Sequence, residues 1–146
     1  MNIKLKYIYS SLRSSLFSEE SKYEFYNSNF VDITTNSKSM IGIIYNSLSL
    51  NGCNFENILL NGDSDDSSLI TFISGDNENS VIIKNTSFKN CQSNGDLLVI
   101  NGNNTFIEID NIILNNISSY GSLLNDLSLN VSNFLLLLIF INSIKY

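Results

Sequence analysis

Short bursts of alternating apolar and polar residues recur along the chain, and four of them superpose on one template. The segments are YEFYNSNFVDI from Tyr23, LSLNGCNFENI from Leu48, VIIKNTSFKNC from Val81 and IEIDNIILNNI from Ile107. Each opens with apolar residues two apart: Tyr23 and Phe25, Leu48 and Leu50, Val81 and Ile83, Ile107 and Ile109. That is the period of a strand with one buried face. Each segment then reaches an apolar anchor, Phe30, Phe55, Phe88 or Leu114. Two residues later stands Asp32, Asn57, Asn90 or Asn116, and three residues later Ile33, Ile58, Cys91 or Ile117. A second apolar stretch follows in every copy: MIGII from Met40, LITFI from Leu69, LLVI from Leu97, and Leu123 with Leu124. A fifth start is expected where LSLNVSNF, Leu127 to Phe134, nearly repeats LSLNGCNF of Leu48 to Phe55. The anchors step by 25, 33, 26 and 20 residues, inside the range of stacked repeats. The long step coincides with polar tracts at 62–67 and 75–79, read as loop insertions on one coil.

Short strands joined by Asn, Ser and Gly turns cannot bury an inward face alone, so the copies must stack. At a strand spacing of about 4.8 Å, each inward residue meets its equivalent above and below. Phe30, Phe55, Phe88 and Leu114 are then predicted to form a stack inside the coils. Asn57, Asn90 and Asn116 are predicted to form a side-chain ladder, with Asn85 and Asn111 in a second one, because an amide carries both donors and an acceptor. The predicted fold is all-β, a parallel solenoid of about four to five coils. Residues 1–22 form an N-terminal segment or cap, in which Leu12, Leu16 and Phe17 cover one end as a short helix. Residues 23–134 are the repeats, and 135–146 an apolar tail. The run FLLLLIFI from Phe134 to Ile141 is about half the length of a membrane span, so a strand is expected there over a truncated anchor.

Composition sharpens this reading. Hydrophobic residues make up 43% and charged residues 15%, too apolar for a disordered tail. There are 24 Asn, 24 Ser and 20 Ile but no Ala or Pro, which disfavours helices and favours strands. The absence of His removes the Ser-His-Asp triad, the Cys-His pair and histidine-ligated zinc within this chain. A net charge of −6 with Arg13 as the sole arginine leaves no basic surface for phosphates, so nucleic acid is not an expected partner. The stretch after Lys4 and Lys6 is Ser-rich and broken by Arg13, Glu19 and Glu20, and reads as no signal peptide.

The pattern resembles the right-handed parallel β-helix repeats of the pectin-lyase-like superfamily, over about Tyr23 to Phe134. It is most similar to extracellular, adhesin-like coils with an F-x-N turn, here Phe55-Glu56-Asn57 and Phe88-Lys89-Asn90, with Phe30-Val31-Asp32 as a variant. Where those coils carry a Gly-Gly-Ala second element, this chain has Gly95-Asp96-Leu97 and Gly121-Ser122-Leu123. The resemblance implies a right-handed β-helix in an extracellular or cell-surface protein. A leucine-rich-repeat solenoid is the alternative fold, since Leu48 to Phe55 fits LxLxxCxF. The equivalents of Cys53 there are Ser28, Thr86, Ile112 and Ser132, an inconsistent set.

Candidate chemistry is sparse. The resemblance makes a polysaccharide lyase or glycoside hydrolase the alternative function, and such a hydrolase needs two carboxylates at a defined separation. Asp65 and Asp66 are an adjacent acidic pair, but adjacency on a loop sets no such separation. Asp63, Asp65 and Asp66, with Asp76 and Glu78, offer oxygen ligands to calcium without the spacing of a known calcium loop, and a solvated acidic loop is the expected state. Cys53 and Cys91 fall five template positions apart and are expected to be two buried free thiols. Sequons at Asn85, Asn103, Asn116 and Asn130 are no more than so much Asn, Ser and Thr produces by chance. The expected function is a non-enzymatic structural or adhesive solenoid binding polysaccharide or a cell-surface protein, with no cofactor. Flanking coils or self-association through uncapped ends complete the expected partners.

Overall fold

The computed structural model describes residues 4–10, 22–62, 67–129, 133–136 and 139–145. Among the described residues there are thirteen strands and no helix. They are β1 (Lys4–Ser10), β2 (Tyr23–Tyr26), β3 (Asn29–Thr35), β4 (Ser39–Ile44), β5 (Leu48–Asn51), β6 (Asn54–Leu60) and β7 (Ser68–Gly75). The rest are β8 (Ser80–Ser93), β9 (Asp96–Gly102), β10 (Phe106–Ser119), β11 (Leu124–Asp126), β12 (Asn133–Leu136) and β13 (Ile139–Lys145). Every pairing is parallel. The first sheet has nine strands, with the path β1-β3-β6-β8-β10-β12, β2 and β5 beside it, and β13 on β10. The second has four, in the order β4-β7-β9-β11. Successive coils run through both sheets, which makes the chain a parallel β-solenoid of about four turns, and the absence of a helical layer among the described residues sets it apart from the leucine-rich-repeat alternative.

The apolar template sets the register. Tyr23 pairs with Leu48, Leu48 with Val81 and Val81 with Ile107. Phe30, Phe55, Phe88 and Leu114 likewise lie side by side on consecutive strands. Inward residues of the two sheets meet in one core that runs from Phe25 through Phe55 and Phe72 to Ile117. Small hydroxyls fill the corner where the chain leaves the first sheet. Thr35 and Ser37 share a 2.7 Å hydrogen bond, and Ser119 donates to the Gly95 carbonyl at 2.5 Å.

The corners explain the asparagines. Asn27, Asp32, Asn57, Asn85, Asn90, Asn111 and Asn116 all adopt left-handed backbone, with φ between 48° and 56°. Asn and Asp tolerate that region better than other residues with a Cβ. They stand in two columns. Asn27, Gly52, Asn85 and Asn111 form one, and Asp32, Asn57, Asn90 and Asn116 the other, five residues on in every coil. In the later coils the corners lie within a strand, so β8 and β10 run for 14 residues through two corners each, whereas the corners at Asn27 and Gly52 separate β2 from β3 and β5 from β6.

The fifth copy departs from the expected alignment. Phe134 pairs with Ile107 and not with the anchor Leu114, whose partner is Ile141, 27 residues on. Ile139, not Ser132, takes the position beside Ile112. The reason lies in LSLN: the Leu127 N–H bonds the Ile100 carbonyl and the Leu129 N–H bonds the Gly102 carbonyl, so this segment still follows β9 in the second sheet. Leu127 and Leu129 are exposed, unlike Leu48 and Leu50. The apolar run after Asn133 contributes β12 and β13, both parallel to β10. At the other end β1 pairs with β3, placing Leu5 beside Phe30 and Ile8 beside Ile33. The expected short helix around Leu12, Leu16 and Phe17 lies outside the described residues.

Candidate functional site

Three of the anchors form a ring stack. Phe30 and Phe55 stack with centroids 4.6 Å apart and 8° between planes, and Phe55 and Phe88 follow at 4.9 Å and 12°. Phe25 meets Phe30 edge-on at 5.5 Å. Such pairs contribute about 0.5–1.5 kcal/mol beyond the area they bury.

The corner amides are chained along the outside. Asn116 donates through Nδ2 to Asn90 Oδ1 at 2.9 Å, Asn90 to Asn57 at 3.0 Å, and Asn57 to Asp32 at 2.8 Å. All three donors point the same way, and a carboxylate accepts the last. In the neighbouring column Asn111 donates to Asn85 at 2.8 Å. Asn85 donates to Asn51 at 3.2 Å, because its own counterpart in that coil is Gly52. A Cβ at Gly52 would lie 2.4 Å from Asn27 Oδ1, so the glycine admits the side chain of the preceding coil.

Charged groups are paired between coils as well. Lys89 Nζ meets Glu56 Oε1 at 2.8 Å, and that hydrogen bond holds the Glu56 carboxyl below its ordinary value. Lys84 reaches Glu108 at 2.8 Å, and Asn103 donates to Asp76 at 2.6 Å. The thiols of Cys53 and Cys91 are free and buried. They lie in different columns, Cys91 beside Ile58 and Cys53 five residues earlier in the template. Burial raises both, and the Cys91 thiol is pushed up to about 12. Neither is an activated nucleophile.

The outer side of the second sheet carries a groove of about 420 Å³. Its floor is the outward row Thr71, Val99 and Asn125, which are neighbours on β7, β9 and β11, with Ile73 and Leu127 beside it. The turns leaving the first sheet form its wall. Asn94 and Gly95 stand there, followed one coil later by Tyr120 and Gly121, and Lys38 and Ser67 line the groove from earlier coils. Tyr120 is 84% exposed. Ser67 is 3% exposed, and its Oγ has no hydrogen-bond partner among the described residues.

Asp96 organises this wall. Its Oδ1 accepts the Ser122 N–H at 2.6 Å, and its Oδ2 accepts Asn125 Nδ2 at 2.7 Å. A Cβ on Gly121 would stand 2.2 Å from Oδ1, so Gly121 is what lets the carboxylate lie against the next coil. In the sequence Gly95-Asp96-Leu97 and Gly121-Ser122-Leu123 are parallel elements, but no linear motif joins them into a groove. Their shared glycine was the available signal.

Of the residues singled out from sequence, the phenylalanine anchors and corner amides come together as described. Asp63, Asp65 and Asp66 lie outside the described residues. Among the described residues no three His, Cys, Asp or Glu side chains group as metal ligands would. No family model, curated protein or solved structure matches the chain.

Proposed function

We propose that the chain is a non-enzymatic structural and adhesive solenoid of a cell-surface or secreted protein, presenting a regular flank to polysaccharide or a surface protein. The observation that carries this reading is the employment of its carboxylates. Asp32, Glu56, Asp76, Asp96 and Glu108 each accept a hydrogen bond or ion pair from a residue one coil away. A carboxylate committed to stacking holds the flank together, whereas acid–base catalysis needs one within reach of a substrate proton. The resemblance to right-handed, adhesin-like coils of the pectin-lyase-like superfamily belongs to the same proposal. Its support is that the F-x-N elements put phenylalanine in the stack and asparagine on the corner.

Retention on an insoluble polysaccharide or on intact cells, without turnover of pectate, xylan or glucan, is the expected outcome. Turnover that disappears in Asp65→Asn or Asp66→Asn would overturn the proposal in favour of a carbohydrate-active enzyme.

A further inference from the structure

We infer that the Asn61-Gly62 step is a site of self-modification, at which the backbone attacks the asparagine side chain, ammonia leaves and the corner gains a carboxylate. It is independent of the adhesive reading. Asn-Gly steps occur at Asn51, Asn61, Asn94 and Asn101. Glycine leaves the nitrogen after each asparagine unhindered, so all four are candidates by sequence, and the fold decides among them.

Three of them are held. Asn51 Oδ1 accepts Asn85 Nδ2 at 3.2 Å, and the Gly52 N–H donates to the Lys84 carbonyl at 3.1 Å. Asn94 donates Nδ2 to the Gly62 carbonyl at 3.2 Å, and the Gly95 N–H donates to Ser93 Oγ at 3.3 Å. Asn101 lies within β9 beside Ile73 of β7, and the Gly102 carbonyl accepts the Leu129 N–H at 3.1 Å. A strand paired on both sides must open locally before its backbone can turn the side chain onto the next nitrogen.

Asn61 is free in both respects. It lies just past the end of β6 with its side chain exposed. Among the described residues neither that side chain nor the Gly62 N–H has a hydrogen-bond partner. One residue in a column is the cause. Thr35, Leu60 and Ser93 are neighbours on consecutive strands. The two hydroxyls each accept the N–H two residues on, Thr35 Oγ1 from Ser37 at 3.0 Å and Ser93 Oγ from Gly95. Leu60 offers no acceptor, and Gly62 is buried. A buried N–H without an acceptor is destabilising, which weakens this corner relative to its two neighbours.

The step balances with water as the other reactant. Hydroxide removes the Gly62 N–H proton, and the nitrogen bonds to Asn61 Cγ. The Cγ–Nδ2 bond breaks, and Nδ2 leaves as ammonia after taking up a proton from water. The product is a five-membered succinimide. Water then opens the ring at Cγ to give aspartate, or at the backbone carbonyl to give isoaspartate, whose main chain runs through Cγ. Either product adds a negative charge beside the acidic tract at 62–67, and isoaspartate lengthens the backbone next to the carbonyl that receives Asn94 Nδ2.

The test is incubation of the whole folded chain at mildly alkaline pH, followed by chymotryptic peptide mapping with mass spectrometry and labelling by an isoaspartyl methyltransferase. Asn61 should convert tenfold or more faster than Asn51, Asn94 and Asn101. In the urea-unfolded chain the four rates should converge. Asn61→Gln keeps an exposed amide but requires a six-membered ring, so it should remove most of the label without moving the thermal midpoint. Conversion of Asn61 no faster than the other three in the folded chain overturns the inference, as does a label retained in Asn61→Gln. Rates that stay tenfold apart in urea would assign the preference to local sequence and overturn the structural cause.

Discussion

Asn90 donates its side-chain amide to Asn57 at 3.0 Å across one coil, and both residues hold left-handed backbone, at φ 52° and 55°. The two facts have one origin. A corner that repeats in every coil needs a residue tolerant of positive φ, and stacking brings those residues side by side. Asparagine satisfies both demands, whereas glycine meets only the first and a β-branched residue neither.

Substitution at Asn90 separates these roles. Asn90→Gly keeps the corner and loses the hydrogen bonds to Asn57 and from Asn116, a loss of about 1–3 kcal/mol for two bonds. Asn90→Val loses the same bonds and adds left-handed strain of about 1–2 kcal/mol. Urea denaturation of both variants should rank valine as the more damaging. Equal midpoints would mean that φ at this corner is not under constraint.

Phe88 and Lys89 are adjacent on β8 and face opposite ways. Phe88 is 5% exposed against Phe55, and its replacement by alanine should be destabilising by about 3–5 kcal/mol, the usual range for a core phenylalanine. Lys89 is 48% exposed and pairs with Glu56, so Lys89→Ala should be destabilising by less than about 1 kcal/mol. Similar losses in the two variants would place the inward face incorrectly.

The first four copies were legible because burial and sequence agree there: anchors Phe30 to Leu114 are all inward, and amides recur at a fixed distance from them. The fifth was misaligned because LSLNVSNF matches LSLNGCNF in letters while Leu127 and Leu129 are exposed, so identity over eight residues outweighed the apolar run that follows. Strand β1 falls within residues 1–22, the expected N-terminal segment or cap. It lacks a phenylalanine, yet Leu5 and Ile8 keep the anchor-plus-three spacing that would have found it. The groove was illegible for a different reason. Its lining comes from turns in separate coils, and no linear motif records that Tyr120 and Asn94 share a wall.

Alkaline pH should expose the buried thiol of Cys91. Burial raises it to about 12 in the folded chain, from an ordinary value near 9.0. The unfolded chain therefore loses its thiol proton first, and stability present below pH 9 declines as pH rises toward 12. At 1.36 kcal/mol per unit this is at most ~4 kcal/mol. Ile33, Ile58 and Ile117 occupy the same template position, so a larger apolar residue suits it. Cys91→Val should keep neutral stability and flatten the decline measured in denaturant melts between pH 8 and 11. An unchanged slope would assign the alkaline loss to other groups.

Self-association through strand β13 is expected of the 146-residue chain. Among the described residues β13 pairs with β10 on one side only, and an edge strand presents unpaired N–H and C=O groups to another copy. Light scattering after size exclusion should find dimers or larger species at tens of micromolar, and deletion of 135–146 should raise solubility. A stable monomer unaffected by the deletion would sink this expectation.

The last prediction concerns Gly121, whose φ lies outside the left-handed region, so its requirement is space alone. A Cβ there would stand 2.2 Å from Asp96 Oδ1 and 3.0 Å from the Asp96 backbone nitrogen. Gly121→Ala should push the carboxylate off the Ser122 N–H and be destabilising by about 1–3 kcal/mol, as overpacking usually is. Asp96→Ala removes the oxygen that the methyl strikes, together with the bonds to Ser122 and Asn125. Adding Gly121→Ala to Asp96→Ala should therefore cost less than it does in the parent chain, because the two substitutions meet at one atom. A double-mutant cycle from urea melts measures that coupling. If Gly121→Ala is equally damaging in both backgrounds, the backbone contact alone sets the glycine requirement, and Asp96 is not what the glycine makes room for.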